Sequence, residues 1–321
     1  MTFFRCLLLL WLALCGTAQA QVYPDKSKPL RIILPQGPGS ASDVVTRSFA
    51  KAITEVSGLN VVIEYKPGAE TVIGVQALLA AAADGYTLLL VSSSTPVLNP
   101  VMIPNLPYDP LRDFTPLIGI SKVTLAMNLG PSTPFKNVRE FVAAAKASPG
   151  KLSYASATTT SRLAGELLQS LAGIVLLNVP YKSTAAGAVA LASGEVDMMM
   201  ADASSMRPMW QSGRARPIAT TGAARVPSLP QLLPIAEEGV PGYDMTAWFA
   251  TYFSARTAPE IAATMRELLR KAAREPAFME TLAQASMEPL DLVGEEINTL
   301  TRREIEVWTR VVRAANLVPA K

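Results

Sequence analysis

Three loops of this chain gather side chains that donate neutral hydrogen bonds, without the groups that usually start covalent chemistry. The first runs Pro35-Gln36-Gly37-Pro38-Gly39-Ser40-Ala41-Ser42-Asp43. It combines the hydroxyls of Ser40 and Ser42 with the backbone of Gln36, Gly37, Gly39 and Ala41. The second is Ser92-Ser93-Ser94-Thr95, and the third is Tyr154–Arg162, which contains Ser156, Thr158, Thr159, Thr160, Ser161 and Arg162. Asp202, just past the run Met198–Met200, is a further acceptor for a ligand amine or hydroxyl. Neutral donors at helix starts suit a small anion such as a carboxylate, because a helix N-terminus carries about half a positive charge. Each hydrogen bond to a charged group contributes about 1.5–3 kcal/mol. Four or five of them support a micromolar complex, roughly −8 kcal/mol, after association costs.

Every one of these stretches also has a plainer reading. Ser42 or Asp43 can cap a helix, Ser92–Thr95 can be a polar loop, Ser161 can be an N-cap, and Asp202 can cap as readily as bind. The three methionines read as core rather than site. The glycine spacing at 37 and 39 matches neither a dinucleotide fingerprint nor a P-loop. An arginine at a cleft edge either pairs with a second carboxylate or points into solvent, and Arg162 is open to both.

Composition narrows the function classes. Met1–Ala20 reads as a secretory signal, with Arg5 before the apolar run Cys6–Cys15 and a small-x-small site at Ala18-Gln19-Ala20. The chain has 2 cysteines, both inside that segment, and 0 histidines. A mature chain from Gln21 therefore lacks thiol and imidazole, and with them the commonest general base. No Gly-x-Ser-x-Gly elbow occurs. No cofactor is expected, and the reading is a binder rather than an enzyme, with a secreted serine hydrolase using a lysine or carboxylate partner as the remote rival. Leu12-Ala13-Leu14-Cys15 faintly resembles a lipoprotein box, which would instead leave a chain anchored at Cys15. Without Arg5 the 29 basic residues become 28 against 26 acidic ones, so no large field favours nucleic acid. No later stretch reaches the roughly 18 to 20 apolar residues of a membrane span. The expected destination is a bacterial periplasm.

The elements that must position these loops alternate short apolar runs with helical spacing, the pattern of an α/β sheet covered by helices. Strands are predicted at Leu30–Leu34, Asn60–Glu64 and Tyr86–Val91, with helices at Asp43–Val56 and Ile73–Ala83. A Pro-rich connector, Asn99–Pro116, precedes a second block. That block has strands at Lys122–Asn128, Leu152–Ala155, Ile174–Val179, Val196–Met200 and Arg216–Thr220. Its helices fall at Val138–Ala147, Ser161–Ala172, Thr184–Ser193 and around Ser204–Gln211. A strand at Trp248–Phe253 and helices at Pro259–Arg274, Pro276–Ala285 and Glu295–Ala315 close the chain. In open α/β sheets ligands gather beyond the carboxyl ends of strands, where all three loops fall. Two lobes with a cleft between them are expected.

An ordered series of motifs then makes the chain resemble the Bug family, the extracytoplasmic solute receptors of tripartite tricarboxylate transporters. It includes Tyr23-Pro24-Asp25-Lys26, the Pro-x-Gly-Pro-Gly turn at 35–39 and Lys66-Pro67-Gly68-Ala69. Ala83-Asp84-Gly85-Tyr86-Thr87 and Leu106-Pro107-Tyr108-Asp109-Pro110 follow. The second half gives Pro149-Gly150-Lys151-Leu152-Ser153-Tyr154, Val179-Pro180-Tyr181-Lys182-Ser183 and Gly239-Val240-Pro241-Gly242-Tyr243. The resemblance implies a type II periplasmic-binding-protein fold, with 21–124 and 248–321 as lobe 1 and 125–247 as lobe 2. It implies a periplasmic receptor that closes by a hinge on a small carboxylate or related metabolite and delivers it to a membrane permease, as a monomer. Docking on a membrane sensor kinase is the alternative role. The chain departs from the family pattern at Ser40-Ala41, at Glu70-Thr71-Val72, at Arg162 and at Asp202, where ligand identity is expected to be set.

Overall fold

The computed structural model describes residues 23–314; the segment 1–20, with Cys6, Cys15 and the cleavage site, lies outside the described residues. The first block is β1 (Leu30–Leu34), α1 (Ala41–Ser57), β2 (Val61–Tyr65), α2 (Val72–Ala80) and β3 (Thr87–Ser92). Helical turns at Ser94–Leu98, Asn99–Met102 and Pro110–Asp113 occupy the expected connector. They lead into β4, a 16-residue strand over Phe114–Leu129. The second block is α3 (Val138–Ala147), β5 (Ser153–Ser156), α4 (Thr159–Ala172), β6 (Leu177–Pro180), α5 (Thr184–Ser193), β7 (Met198–Asp202), α6 (Ala203–Gln211), β8 (Arg216–Thr220) and β9 (Leu233–Pro234). The return is β10 (Thr246–Ser254), α7 (Pro259–Ala273), α8 (Pro276–Gln284), β11 (Met287–Pro289) and α9 (Glu295–Ala314).

The strands follow one path, β2-β1-β3-β10-β4-β7-β5-β6, with β8 and β11 paired to β4 and β9 paired to β8. Strands β1, β2 and β3 pair in parallel, as crossover helices require. The two long strands, β4 and β10, run antiparallel to each other and join the halves. Along β4 the partner changes: Thr124 faces Thr246 of β10, whereas the next residue, Leu125, faces Asp202 of β7. Strand β4 is thus much longer than the expected Lys122–Asn128, because its first half pairs with β10, and β11 adds to it at Ser121–Val123. The short β9 and β11 carry no apolar run of their own. They exist only because β8 and β4 offer them an edge.

Burial follows the pleat. Ile33 and Leu89 enter the largest core cluster, which runs through both halves, while Ile32 and Leu88 pack on the opposite face with Phe49, Met265 and Phe278. Met198 and Met200 are fully buried in that largest cluster and Met199 in a third, so the methionine run is core on both faces of β7. Helix α7 packs on α1, and α9 packs on the turn Ser94–Leu98. The returning C-terminal segment therefore covers the first half.

The caps differ from expectation. Helix α1 is capped by Ser40, whose Oγ accepts from Asp43 N–H at 3.2 Å, rather than by Ser42 or Asp43. Helix α4 is capped by Thr158, with Ser161 completing a reciprocal capping box, rather than by Ser161. In both cases the helix begins two residues earlier than its apolar periodicity, because polar side chains at its start satisfy the first N–H groups.

Candidate functional site

Four helices point their N-termini at one cleft between the two halves. Helix α1 brings Ser40 and Ala41, α4 brings Thr158, Thr160 and Ser161, α5 brings Thr184, and α6 brings Asp202. These residues line an inner recess of about 60 Å³ floored by Val123, Leu125, Met200, Ala201, Ala247 and Phe249, with Gln36 and Ser92 beside them. An outer chamber of about 530 Å³ shares Gln36, Ser40, Thr158 and Thr184 with that recess. It adds Gly37, the turn Pro67–Thr71, Ser94, Ala157, Thr159, Tyr181 and Lys182. In helix geometry the first N–H groups have no intrahelical acceptor, so those of Ala41, Ser42, Thr159 and Thr160 face the cleft end of their helices. Their dipoles add positive potential where, among the described residues, no cationic side chain lines the inner recess.

The first loop is held tightly. Gly39 takes a left-handed φ of 80°, and its N–H donates to Asp43 Oδ2 at 2.9 Å. Ser40 Oγ donates to Gly37 O at 2.9 Å, and the Ser42 hydroxyl bonds the Gln36 side-chain oxygen. Asp43 Oδ1 accepts from Tyr65 Oη at 2.6 Å and from Arg47 Nε at 2.8 Å. Burial would raise the Asp43 pKa. The bonds from Tyr65, Gly39 and Arg47 outweigh that and hold the carboxyl below its usual range. Behind the loop, Gly74 of α2 sits so close to Pro35 that a Cβ would lie 2.4 Å from Pro35 Cβ.

The third loop is set by its own cap. Ser161 Oγ accepts from the N–H groups of Ala157 and Thr158, each at 3.0 Å. Thr159 Oγ1 donates across the cleft to Glu70 Oε2 at 2.8 Å. Beneath α4, Tyr154 Oη donates to Glu166 Oε1 at 2.9 Å; burial and then the Glu166 charge push the phenol pKa up. Asp202 lines the recess, but its carboxylate serves α6. Oδ1 accepts from Ser204 Oγ at 2.5 Å and Ser205 N–H at 2.8 Å, and Oδ2 accepts from Ser205 Oγ at 3.0 Å.

The structure thus brings Gln36, Gly37, Ser40, Ala41, Ser92, Ser94, Thr158, Thr159, Thr160, Ser161 and Asp202 to the cleft walls. Gly39 shapes the loop without lining it. Ser93 lies just past β3, where the backbone has turned helical, and its Oγ faces Trp248 N–H at 3.4 Å. Ser156 donates to Asn178 Oδ1 at 2.7 Å beneath the loop. Arg162 is exposed and lines neither chamber. The turn Glu70–Thr71, marked in the sequence as a departure from the family pattern, lines the outer chamber, whereas sequence reasoning missed the floor residues of β4 and β10 and the edge formed by Tyr181, Lys182 and Thr184. The last group follows β6 just as Ser92 ends β3, so the strand-end rule could have found it. Two Ser-x-x-Lys spacings, Ser48 to Lys51 and Ser148 to Lys151, lie outside the cleft. Ser48 Oγ donates to Thr281 Oγ1 at 2.8 Å, and Lys51 pairs with Glu55 at 3.8 Å.

Two mixed α/β halves joined by crossing strands, with helix N-termini aimed into the cleft between them, define the two-lobed fold of periplasmic binding proteins. A family model described as tripartite tricarboxylate transporter family receptor matches residues 45–317, and the chain belongs to that family. Protein BugT of Bordetella pertussis is 29% identical over 319 residues, covering 98% of this chain and 97% of BugT. A structure of Rpa4515 from R. palustris with adipate is 27% identical, with a TM-score of 0.88 over 93% of this chain and 100% of the other. The periplasmic binding protein BugD is also 27% identical, with a TM-score of 0.85 over 91% of this chain and 99% of the other. This is a solute-receptor family, and the chain is a solute receptor of the tripartite tricarboxylate type.

Proposed function

We propose that this receptor binds a small carboxylate in the cleft, without transforming it, and hands it to its membrane permease. The observation that carries this is the convergence of four helix N-termini on a recess whose side-chain donors are neutral hydroxyls. The carboxylate oxygens take the open N–H groups at the starts of α1 and α4, helped by Ser40, Ser92, Thr158 and Thr160. The apolar floor at Val123, Leu125 and Phe249 accepts the carbon chain. The relative solved with adipate supports a carboxylate ligand. A binding rather than enzymatic role agrees with Ser40 and Ser42, Ser92 and Ser94, and Thr158 and Ser161 being tied to one another in pairs.

The lobes on this reading are 21–124 with 248–321, and 125–247; the change of β4 partners between Thr124 and Leu125 supports that division. Closure of one lobe on the other presents both to the permease. The segment 1–20 directs export to the periplasm, with cleavage after Ala20, and the receptor acts as a monomer.

The test is a thermal-shift screen of protein recovered from the periplasmic fraction and refolded to strip bound ligand. Mono-, di- and tricarboxylates, aromatic acids and their amides form the panel. A true ligand at a hundredfold excess over its dissociation constant adds about 2.7 kcal/mol of stability. A shift confined to carboxylates is expected, with a mass starting at Gln21 and a monomer by size exclusion. A shift with the amides alone, or with none of the acids, overturns the ligand assignment.

A further inference from the structure

We infer that Glu70 is a built-in carboxylate of the ligand site, one that makes the receptor prefer monocarboxylates over dicarboxylates of the same chain length. The inference rests on the carboxylate reading above and narrows it. Glu70 belongs to the first half, yet its Oε2 accepts from Thr159 Oγ1, and Thr159 is the first residue of α4 in the second half. The side chain is exposed and lines the outer chamber. Its charge therefore sits at the positive end of α4, where the far carboxylate of a dicarboxylate held by α1 would otherwise go.

The position of Glu70 is enforced rather than incidental. Ala69, Glu70 and Thr71 have φ of 46°, 49° and 77°, three successive non-glycine residues in the left-handed region. A β-branched residue there is a genuine outlier, and such strain persists only where surrounding bonds over-determine it. Asn99, fully buried, supplies those bonds. Its Nδ2 donates to Glu70 O at 2.6 Å and to Thr71 Oγ1 at 3.3 Å, and its Oδ1 accepts from Thr159 at 3.3 Å. Thr71 Oγ1 also lies 2.9 Å from Thr95 Oγ1. One buried amide thus holds both the strained turn and the helix start that Glu70 reaches. Lys182 lines the same chamber and is the cation that a second carboxylate would seek if Glu70 did not dominate.

The experiment uses the mature protein and its Glu70→Gln variant, which keeps an oxygen for Thr159 and removes the charge. Calorimetric titration with chain-matched pairs, such as hexanoate with adipate and butyrate with succinate, gives the ratio of affinities. Wild type is expected to favour the monocarboxylate. In Glu70→Gln the dicarboxylate should gain roughly tenfold relative to its partner, the size expected for one like-charge contact in a partly wet cleft. Dicarboxylate preference in wild type, or a ratio unmoved by Glu70→Gln in a folded variant, overturns the inference and leaves the carboxylate reading intact. No binding of any acid by either protein overturns that reading, and this inference with it.

Discussion

Gly74→Ala tests whether the cleft depends on how closely α2 approaches the first loop. The new Cβ would stand 2.4 Å from Pro35 Cβ, 3.2 Å from its Cα and 3.3 Å from its Cγ. Ordinary carbon contacts lie near 3.5–4.0 Å, so about 1 Å of separation must be found. Pro35 has little freedom to turn away, since the ring ties its side chain to its backbone. The displacement therefore passes to Gln36 and Ser40, which line both chambers. Alanine gains about 1 kcal/mol over glycine within a helix, and overpacking costs about 1–3 kcal/mol. The net stability change should be small, from near zero to a loss of about 2 kcal/mol. Binding should suffer more: two weakened hydrogen bonds to a carboxylate, at about 1.5 kcal/mol each, amount to roughly a hundredfold. Differential scanning calorimetry and titration with the best acid from the panel separate the two effects. Unchanged affinity with a raised melting point would refute the argument, showing that α2 can slide without moving the loop.

Two further outcomes follow from titratable groups. Glu304 Oε2 accepts from Trp248 Nε1 at 2.8 Å, and burial pushes its carboxyl up from 4.5 to about 7. A raised carboxyl stabilises the fold fully below its unfolded pKa, and this contribution is lost as pH rises through the folded one. The loss is about 3 kcal/mol. Glu304→Gln should therefore be no less stable than wild type at pH 8.5 and relatively weaker at pH 5; parallel melting curves across that range would contradict this. Asp43 is shifted the other way, so its contribution is present above the ordinary carboxylate range and is lost as pH falls through the lowered pKa. Asp43→Asn should cost about 1–3 kcal/mol at pH 7 by urea unfolding. That deficit should shrink below pH 3.8; a deficit constant with pH would show that packing, not charge, holds the Gly39 turn.

What the sequence alone determined about this protein is its local order. The apolar runs place the parallel strands β1, β2 and β3 almost to the residue, and the hydroxyls beyond β3 and β5 mark strand ends where ligands gather. Such signals are legible because caps, turns and periodicity act over a few residues. Which serine faces the cleft was not legible: Ser92 and Ser93 are alike in type, and the turn from the extended end of β3 into helical backbone at Ser93 leaves Ser92 at the recess and sets the Ser93 hydroxyl against Trp248. Helix rotation likewise carries Arg162 outward, while Thr160 and Ser161 stay on the wall. The floor of β4 and β10 shows no local mark, because its inward face exists only once the two strands pair across 122–140 residues of chain. Glu70 meeting Thr159 is the clearest case. The two residues are 89 apart, and only the docking of one lobe on the other, with Asn99 between them, sets a carboxylate at the start of that helix.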